Sequence, residues 1–138
     1  MGARGKLAAL AVAVTVSSGL VATAAPASAA GPCGSGYNLV GTYDIAYESG
    51  TKTGTLEVRW NSSTGMNCAL AYGYGDHYGA ETSKWVEIRP SGSNSWDSDH
   101  GVYKYYAGPV YASARGRCID IFALVSDATI SLSNVHCG

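Results

Sequence analysis

The amino-acid sequence predicts an all-β protein, a small antiparallel sandwich or barrel with two disulfides. Three observations carry that expectation. Short apolar runs recur with clusters of Gly, Ser, Thr and Asn between them, and no segment sustains the three-four apolar spacing of an amphipathic helix. Residues 55–60 alternate cleanly, Leu56, Val58 and Trp60 against Thr55, Glu57 and Arg59, which is the period of a half-buried strand. The cysteines, Cys33, Cys68, Cys118 and Cys137, are an even set with neither C-x-x-C redox spacing nor paired metal-knuckle spacing. At 138 residues and 46% hydrophobic, the chain is too short for two ordinary domains and too apolar to be disordered.

Residues 1–29 read as a secretory signal peptide. Arg4 and Lys6 precede an apolar run from Leu7, and Ala27, Ser28 and Ala29 form a small-residue cleavage site, with the bond after Ala30 as the alternative. A membrane span would need about 20 strongly apolar residues, and Thr15, Ser17, Ser18 and Thr23 interrupt this stretch. The expectation is a single secreted β domain over 30–138, with no membrane span in the mature chain. In an oxidising compartment four cysteines read as two disulfides, and three connectivities are open.

The strands follow in order. Residues 37–47 form a first extended run, broken by Glu48, Ser49 and Gly50. After 55–60, Asn61, Ser62, Ser63, Thr64 and Gly65 make a hairpin loop, and Met66, Cys68, Leu70 and Tyr72 share one face of the returning strand. Residues 73–83 read as a polar, glycine-rich loop, 84–89 as a short strand ended by Pro90, and 91–94 as turn material. Further strands are expected at 102–106 and 110–114, separated by Ala107, Gly108 and Pro109, then at 118–125 and 129–135 around a turn at Ser126 and Asp127. That last turn places Cys118 opposite Val135 or, after a small shift or bulge, close to Cys137. Pairing of Cys118 with Cys137, and by elimination of Cys33 with Cys68, is therefore expected.

A formal net charge of −1 with scattered basic residues excludes an electrostatic footprint for nucleic acid. His77, His100 and His136 are the candidates for acid-base work, but no G-x-S-x-G elbow accompanies them, and no catalytic constellation is expected. His136, beside Cys137, reads as a surface residue; His77, in the glycine-rich loop, is the freest to meet a ligand. Asp97, Ser98, Asp99, His100 and Gly101 invite comparison with a calcium loop, yet lack the sixth-position glycine and twelfth-position glutamate of the EF-hand type. They read as an acidic turn between strands, and neither metal nor cofactor is expected.

The compositional oddity is ten tyrosines against one phenylalanine, Phe122. Tyr72, Tyr74 and Tyr78 crowd one loop with His77, while Tyr103, Tyr105 and Tyr106 crowd one later segment, Tyr111 lying just beyond. On a strand over 102–106, Tyr103 and Tyr105 would share a face. Tyrosine offers large rigid area with a hydroxyl at its tip, so Tyr72, Tyr74, His77, Tyr78, Tyr103, Tyr105 and Tyr106 are the candidate binding residues. The competing expectation is that tyrosine simply replaces phenylalanine as the packing aromatic.

Several blocks carry a family likeness: Tyr-Lys-Tyr-Tyr-Ala-Gly-Pro-Val-Tyr at 103–111, Ala-Arg-Gly-Arg-Cys-Ile-Asp at 114–120, Cys-Gly-Ser-Gly-Tyr at 33–37, the loop and strand at 61–68, and Asn-Val-His-Cys-Gly at 134–138. Together they resemble the spore-associated protein A family, small secreted proteins of filamentous actinomycetes. The chain departs from the family pattern at Ile121 and Phe122, and in a longer loop around 72–78. The resemblance implies an extracellular, non-enzymatic protein with a structural or adhesive role on spore-coat or cell-surface components. It brings no catalytic residues. The alternative expectation is a glycan- or protein-binding module, including a secreted inhibitor, that uses the tyrosine-rich face.

Overall fold

The computed structural model describes Gly19 and residues 30–138, and the signal peptide expected at 1–29 lies, that glycine apart, outside the described residues. Eight strands run through them: β1 (Asn38–Ala46), β2 (Lys52–Asn61), β3 (Met66–Gly73), β4 (Thr82–Pro90), β5 (Asp97–Tyr103), β6 (Tyr106–Ser113), β7 (Ile119–Val125) and β8 (Ala128–Val135), with one 3-10 turn, Gly75–His77, after β3. They form two antiparallel four-stranded sheets, ordered β1-β2-β3-β6 and β5-β4-β7-β8. The architecture is the sandwich of the two expected alternatives.

The alternation at 55–60 puts Leu56 and Val58 inward, where they meet Val86, Ile88, Ile121, Ala123 and Val125 from the facing sheet. Their neighbours on β3 are Ala71 and Ala69, so the large side chains of β3, Cys68, Leu70 and Tyr72, point the other way and build a second cluster outside the sandwich. The β2–β3 loop closes as expected. Asn61 Oδ1 accepts the Ser63 and Thr64 amides at 3.0 and 3.3 Å, and Gly65 supplies the positive φ of 71° that a β-carbon would disfavour.

Two expected elements are corrected. The segment 102–106 is not one strand: it breaks at Lys104 and Tyr105, with Tyr103 ending β5 and Tyr106 opening β6. The acidic turn at 97–101 is instead the body of β5. The alternating acids explain why. β5 and β6 are the facing edges of the two sheets, and Asp99 Oδ2 accepts the Gly108 amide at 2.7 Å while Asp97 Oδ2 accepts the Tyr111 amide at 2.7 Å. The two carboxylates thus occupy edge N–H groups that would otherwise be open to pairing with another chain.

Both disulfides form in the expected pairs, Cys33–Cys68 and Cys118–Cys137. The register of β7 with β8 shifts between Ile119 and Ile121, and this bulge brings Cys137 to Cys118. Asn134, at φ 54°, gives its N–H to Asp120 Oδ1 at 3.0 Å in place of a ladder partner.

Candidate functional site

β3 and β6 lie side by side at one margin of their sheet, with Cys68 opposite Tyr111 and Tyr72 opposite Tyr106. The outward side chains of these pairs make one surface. Its floor is Cys33, Cys68 and Leu70, all buried, and Tyr37, Tyr72, Tyr106 and Tyr111 stand half-buried around it. The Cys33–Cys68 bond is what brings Tyr37 there. Ring centroids are 5.7 Å apart for Tyr37 and Tyr111 and 5.3 Å for Tyr72 and Tyr106, and the Tyr111 hydroxyl donates to the Cys33 carbonyl at 3.0 Å.

The surface extends through two turns docked on one another. The Gly73 amide donates to the Tyr105 carbonyl at 2.9 Å and the Gly79 amide to the Lys104 carbonyl at 2.8 Å. Tyr78 and Tyr105 consequently meet edge to face, 5.1 Å between centroids, and are 56% and 49% exposed, the outermost members of the group. Burial, with Glu57 second, pushes the Tyr72 phenol above its ordinary value, and neighbouring Tyr78 adds to the effect. Burial, then Tyr37 and Asp97, does the same for Tyr111. These hydroxyls stay protonated across the neutral range and remain donors. On β2 the adjoining pair, Glu57 and Arg59 at 3.0 Å, gives the aromatic surface a charged border.

Of the expected residues, Tyr72, Tyr78, Tyr105 and Tyr106 come together on this face. Tyr74 makes its contact with Lys52, whose ammonium sits 4.4 Å from the ring centroid and also pairs with Asp44 at 2.7 Å. Tyr103 does not share a face with Tyr105: the strand break separates them, and Tyr103 packs against the sandwich core with its hydroxyl on Asp99 at 2.7 Å. His77 is not the free loop residue expected. The 3-10 turn folds it onto the end of β3, where its carbonyl abuts Gly73 so closely that a β-carbon would collide, and its Nδ1 is enclosed without a partner. Tyr37 and Tyr111 complete the face. The signal for Tyr37 was its position four residues after a cysteine bonded to the strand beneath.

Lys84 also departs from a simple strand residue. It points inward and is 1% exposed, with its Nζ donating to the Tyr103 carbonyl and Thr82 Oγ1, both at 2.6 Å. Burial pulls its pKa below the usual lysine value, and its role is to hold the ends of β4 and β5 from inside.

His136, expected at the surface, is half-buried and joins the other two sheet edges. Its Nε2 shares a hydrogen bond with the Tyr43 hydroxyl at 2.9 Å, and the absence of a side chain at Gly41 makes room for the ring. Burial lowers its pKa below 6.5, so the folded state prefers the neutral ring. The stability it contributes is present above pH 6.5 and is lost as the pH falls from there through the lowered folded value. Urea midpoints should therefore drop between pH 7.5 and 5.5 in the natural protein and by less in His136→Phe. An equal drop in both would remove His136 as the source.

Among the described residues no three His, Cys, Asp or Glu side chains cluster to hold a metal, and no helix is long and apolar enough to cross a membrane. Fold and surface define a disulfide-stapled antiparallel β-sandwich with a tyrosine-rich outer face. No family model and no solved structure matches the chain. It is 33% identical over 132 residues to Spore-associated protein A of Streptomyces coelicolor, an alignment covering 89% of this chain and 81% of that protein. The chain belongs to the spore-associated protein A family.

Proposed function

We propose that the protein is an exported, non-enzymatic adhesive component of the spore or cell surface, held there by its tyrosine face. The observation that carries this is the gathering of Tyr37, Tyr72, Tyr78, Tyr105, Tyr106 and Tyr111 on one outer surface. Rigid phenol rings contribute contact area at little entropic loss, and their hydroxyls supply hydrogen bonds to a polar partner. The relative's name and the two disulfides support the location. A second reading, a soluble glycan- or protein-binding module such as a secreted inhibitor, is favoured by the exposure of the Tyr78–Tyr105 pair, which could close on one ligand.

Co-sedimentation of the protein with washed spores, hyphal walls and chitin separates these readings. Binding to spores and walls that resists salt washing is the expected result, and a protein found only in the supernatant would sink the adhesive role. Tyr78→Ala with Tyr105→Ala should weaken that binding about tenfold or more, since a few aromatic anchors carry most of an interface's energy and these two rings are the ones that stand furthest out to meet a partner. Both rings are half-exposed, so the melting temperature should fall by only a few degrees, about 1 kcal/mol. Unchanged sedimentation of the double variant would move the contact to another surface.

A further inference from the structure

Tyr78 and Tyr105 stand apart from the other tyrosines in three respects. Their rings meet, 5.1 Å between centroids at an interplanar angle of 61°. Both rings are reachable from solvent, whereas those of the pairs Tyr72–Tyr106 and Tyr37–Tyr111 are half-buried. Their hydroxyls are also unengaged: those of Tyr43, Tyr47, Tyr103 and Tyr111 each take part in a hydrogen bond, and those of Tyr78 and Tyr105 have no partner among the described residues. Tyr74 is as exposed, at 52%, but its ring meets the Lys52 ammonium rather than another phenol.

The backbone builds this contact in. The Gly73 and Gly79 amides on the Tyr105 and Lys104 carbonyls fix the two turns to each other, so the rings do not depend on finding one another from mobile loops. Gly79, next to Tyr78, has a φ of 90° and no side chain, and a β-carbon there would stand 4.0 Å from Tyr105 Cε1. Cε1 is ortho to the hydroxyl, the position at which an oxidised phenol carries unpaired spin and forms bonds. It therefore faces the turn that carries Tyr78. Closing the pair to the separation of two bonded rings takes a displacement of about 1 Å, within the ordinary thermal amplitude of a side chain.

We propose that Tyr78 and Tyr105 are an oxidative cross-linking site, joined carbon to carbon as a dityrosine by a peroxidase that uses hydrogen peroxide. Each ring gives up one electron and its phenolic proton, leaving a phenoxyl radical. The two radicals pair to form a bond between one ortho carbon of each ring, and the hydrogens on those carbons move to the oxygens, restoring both phenols. The peroxide takes up the two electrons and two protons and leaves as two waters. The two disulfides fit an oxidising compartment, where such an oxidant is met. The new bond closes residues 78–105 into a covalent loop and fixes the outermost rings of the tyrosine face as one rigid plate. The coupling needs no adhesive partner, so it stands or falls apart from the reading of that face as a wall-binding surface.

Treating the purified protein, kept dilute, with hydrogen peroxide and a haem peroxidase tests this directly. The expected product is a monomer lighter by two hydrogens that shows the blue fluorescence of a biphenol and forms at a rate independent of protein concentration. Peptide mapping should join the peptides that carry residues 78 and 105. The melting temperature of the product should rise by about 10 °C, as for a covalent link that closes a loop of this length. Tyr78→Phe and Tyr105→Phe keep the ring packing and should each slow monomer coupling about tenfold or more, since the paired phenols supply the effective concentration. Tyr74→Phe should couple at the natural rate. Protein recovered from the organism that makes it should already carry the bond. Four results would overturn the proposal: covalent dimers in place of the lighter monomer, a map that joins another pair, a Tyr78→Phe chain that couples at the natural rate, or naturally produced protein in which both tyrosines are recovered uncoupled.

Discussion

Replacing Cys33 and Cys68 together by alanine is expected to lower the melting temperature by roughly 15–20 °C. Cysteines separated by 35 positions close a loop whose entropy, restored to the unfolded chain, amounts to about 4 kcal/mol, against about 3 kcal/mol for the 19 positions between Cys118 and Cys137. Packing adds to the first bridge, because both its sulfurs lie in the buried floor beneath the tyrosines. The loss should also be localised. Freed from Cys68, residues 30–37 keep as anchors the Tyr111 hydroxyl on the Cys33 carbonyl, the ring contact between Tyr37 and Tyr111, and the approach of Gly36 to the Asn61 side chain. Their amides should exchange rapidly while those of β2 and β7 stay protected. Calorimetry on this double variant and on Cys118→Ala with Cys137→Ala gives the comparison. A 33/68 variant that melts within a few degrees of the natural protein, or above the 118/137 variant, would contradict it.

That bridge also marks where sequence reasoning reached and where it stopped. Strand period, turn residues and the final hairpin register were local signals, and each was readable: β1 to β4, β7 and β8, the β2–β3 loop and both cysteine pairs follow from them. The division of residues between faces was not. β3 is buried on both sides, its inner face made of Ala69 and Ala71 and its outer face of Cys68, Leu70 and Tyr72, so hydrophobicity along the strand does not say which face looks into the sandwich. The break at Lys104 and Tyr105 was hidden for a similar reason. A tyrosine-rich stretch has high strand propensity throughout, and the hydrogen bonds that make it a turn come from Gly73 and Gly79, some thirty residues earlier.

The tyrosine face was legible as a tyrosine excess but not as a place. Four of the seven expected residues converge, while Tyr74, His77 and Tyr103 take other partners, respectively a lysine, the end of β3 and an aspartate. Asp97 and Asp99 were read as an acidic turn because alternate acids look alike on a turn and on a strand. On an edge strand the same alternation aims both carboxylates at one neighbour, here the backbone of β6. Asn67 gave no signal, since its unpaired amide shows only in the packed structure.

Asp120→Ala should destabilise the fold by about 3 kcal/mol, the lower end of what breaking a buried charged network costs. The carboxylate is 7% exposed and serves three elements at once. Its Oδ1 accepts from the Ser91 hydroxyl at 2.6 Å and from the Asn134 amide at 3.0 Å, and its Oδ2 from Arg89 Nε at 3.0 Å. Arg89 in turn lies over the Trp96 ring at 4.3 Å and donates to the Ser93 carbonyl, so the loop after β4 hangs on the same group. Arg89 keeps partial access to water and can rehydrate when its partner is removed, which is why the loss is placed at the lower end. The Ser91 hydroxyl foremost, then the Asn134 amide and Arg89, hold the Asp120 pKa below the ordinary 3.8 despite the opposing effect of burial. The folded state therefore binds this proton less readily than the unfolded chain does. The resulting stability is fully present above pH 3.8 and is lost as the pH falls through the lowered folded value. Asp120→Asn retains the shape without the charge and should flatten that acid limb while costing less than alanine at pH 7. Because the carboxylate fixes the bulge that delivers His136 and Cys137 to their partners, Asp120→Ala should also loosen the tail that brings Gly138 beside the Trp60 ring and shift the indole resonance. An acid limb unchanged in Asp120→Asn, or a Trp60 signal unmoved in Asp120→Ala, would separate this carboxylate from the bulge it is taken to hold.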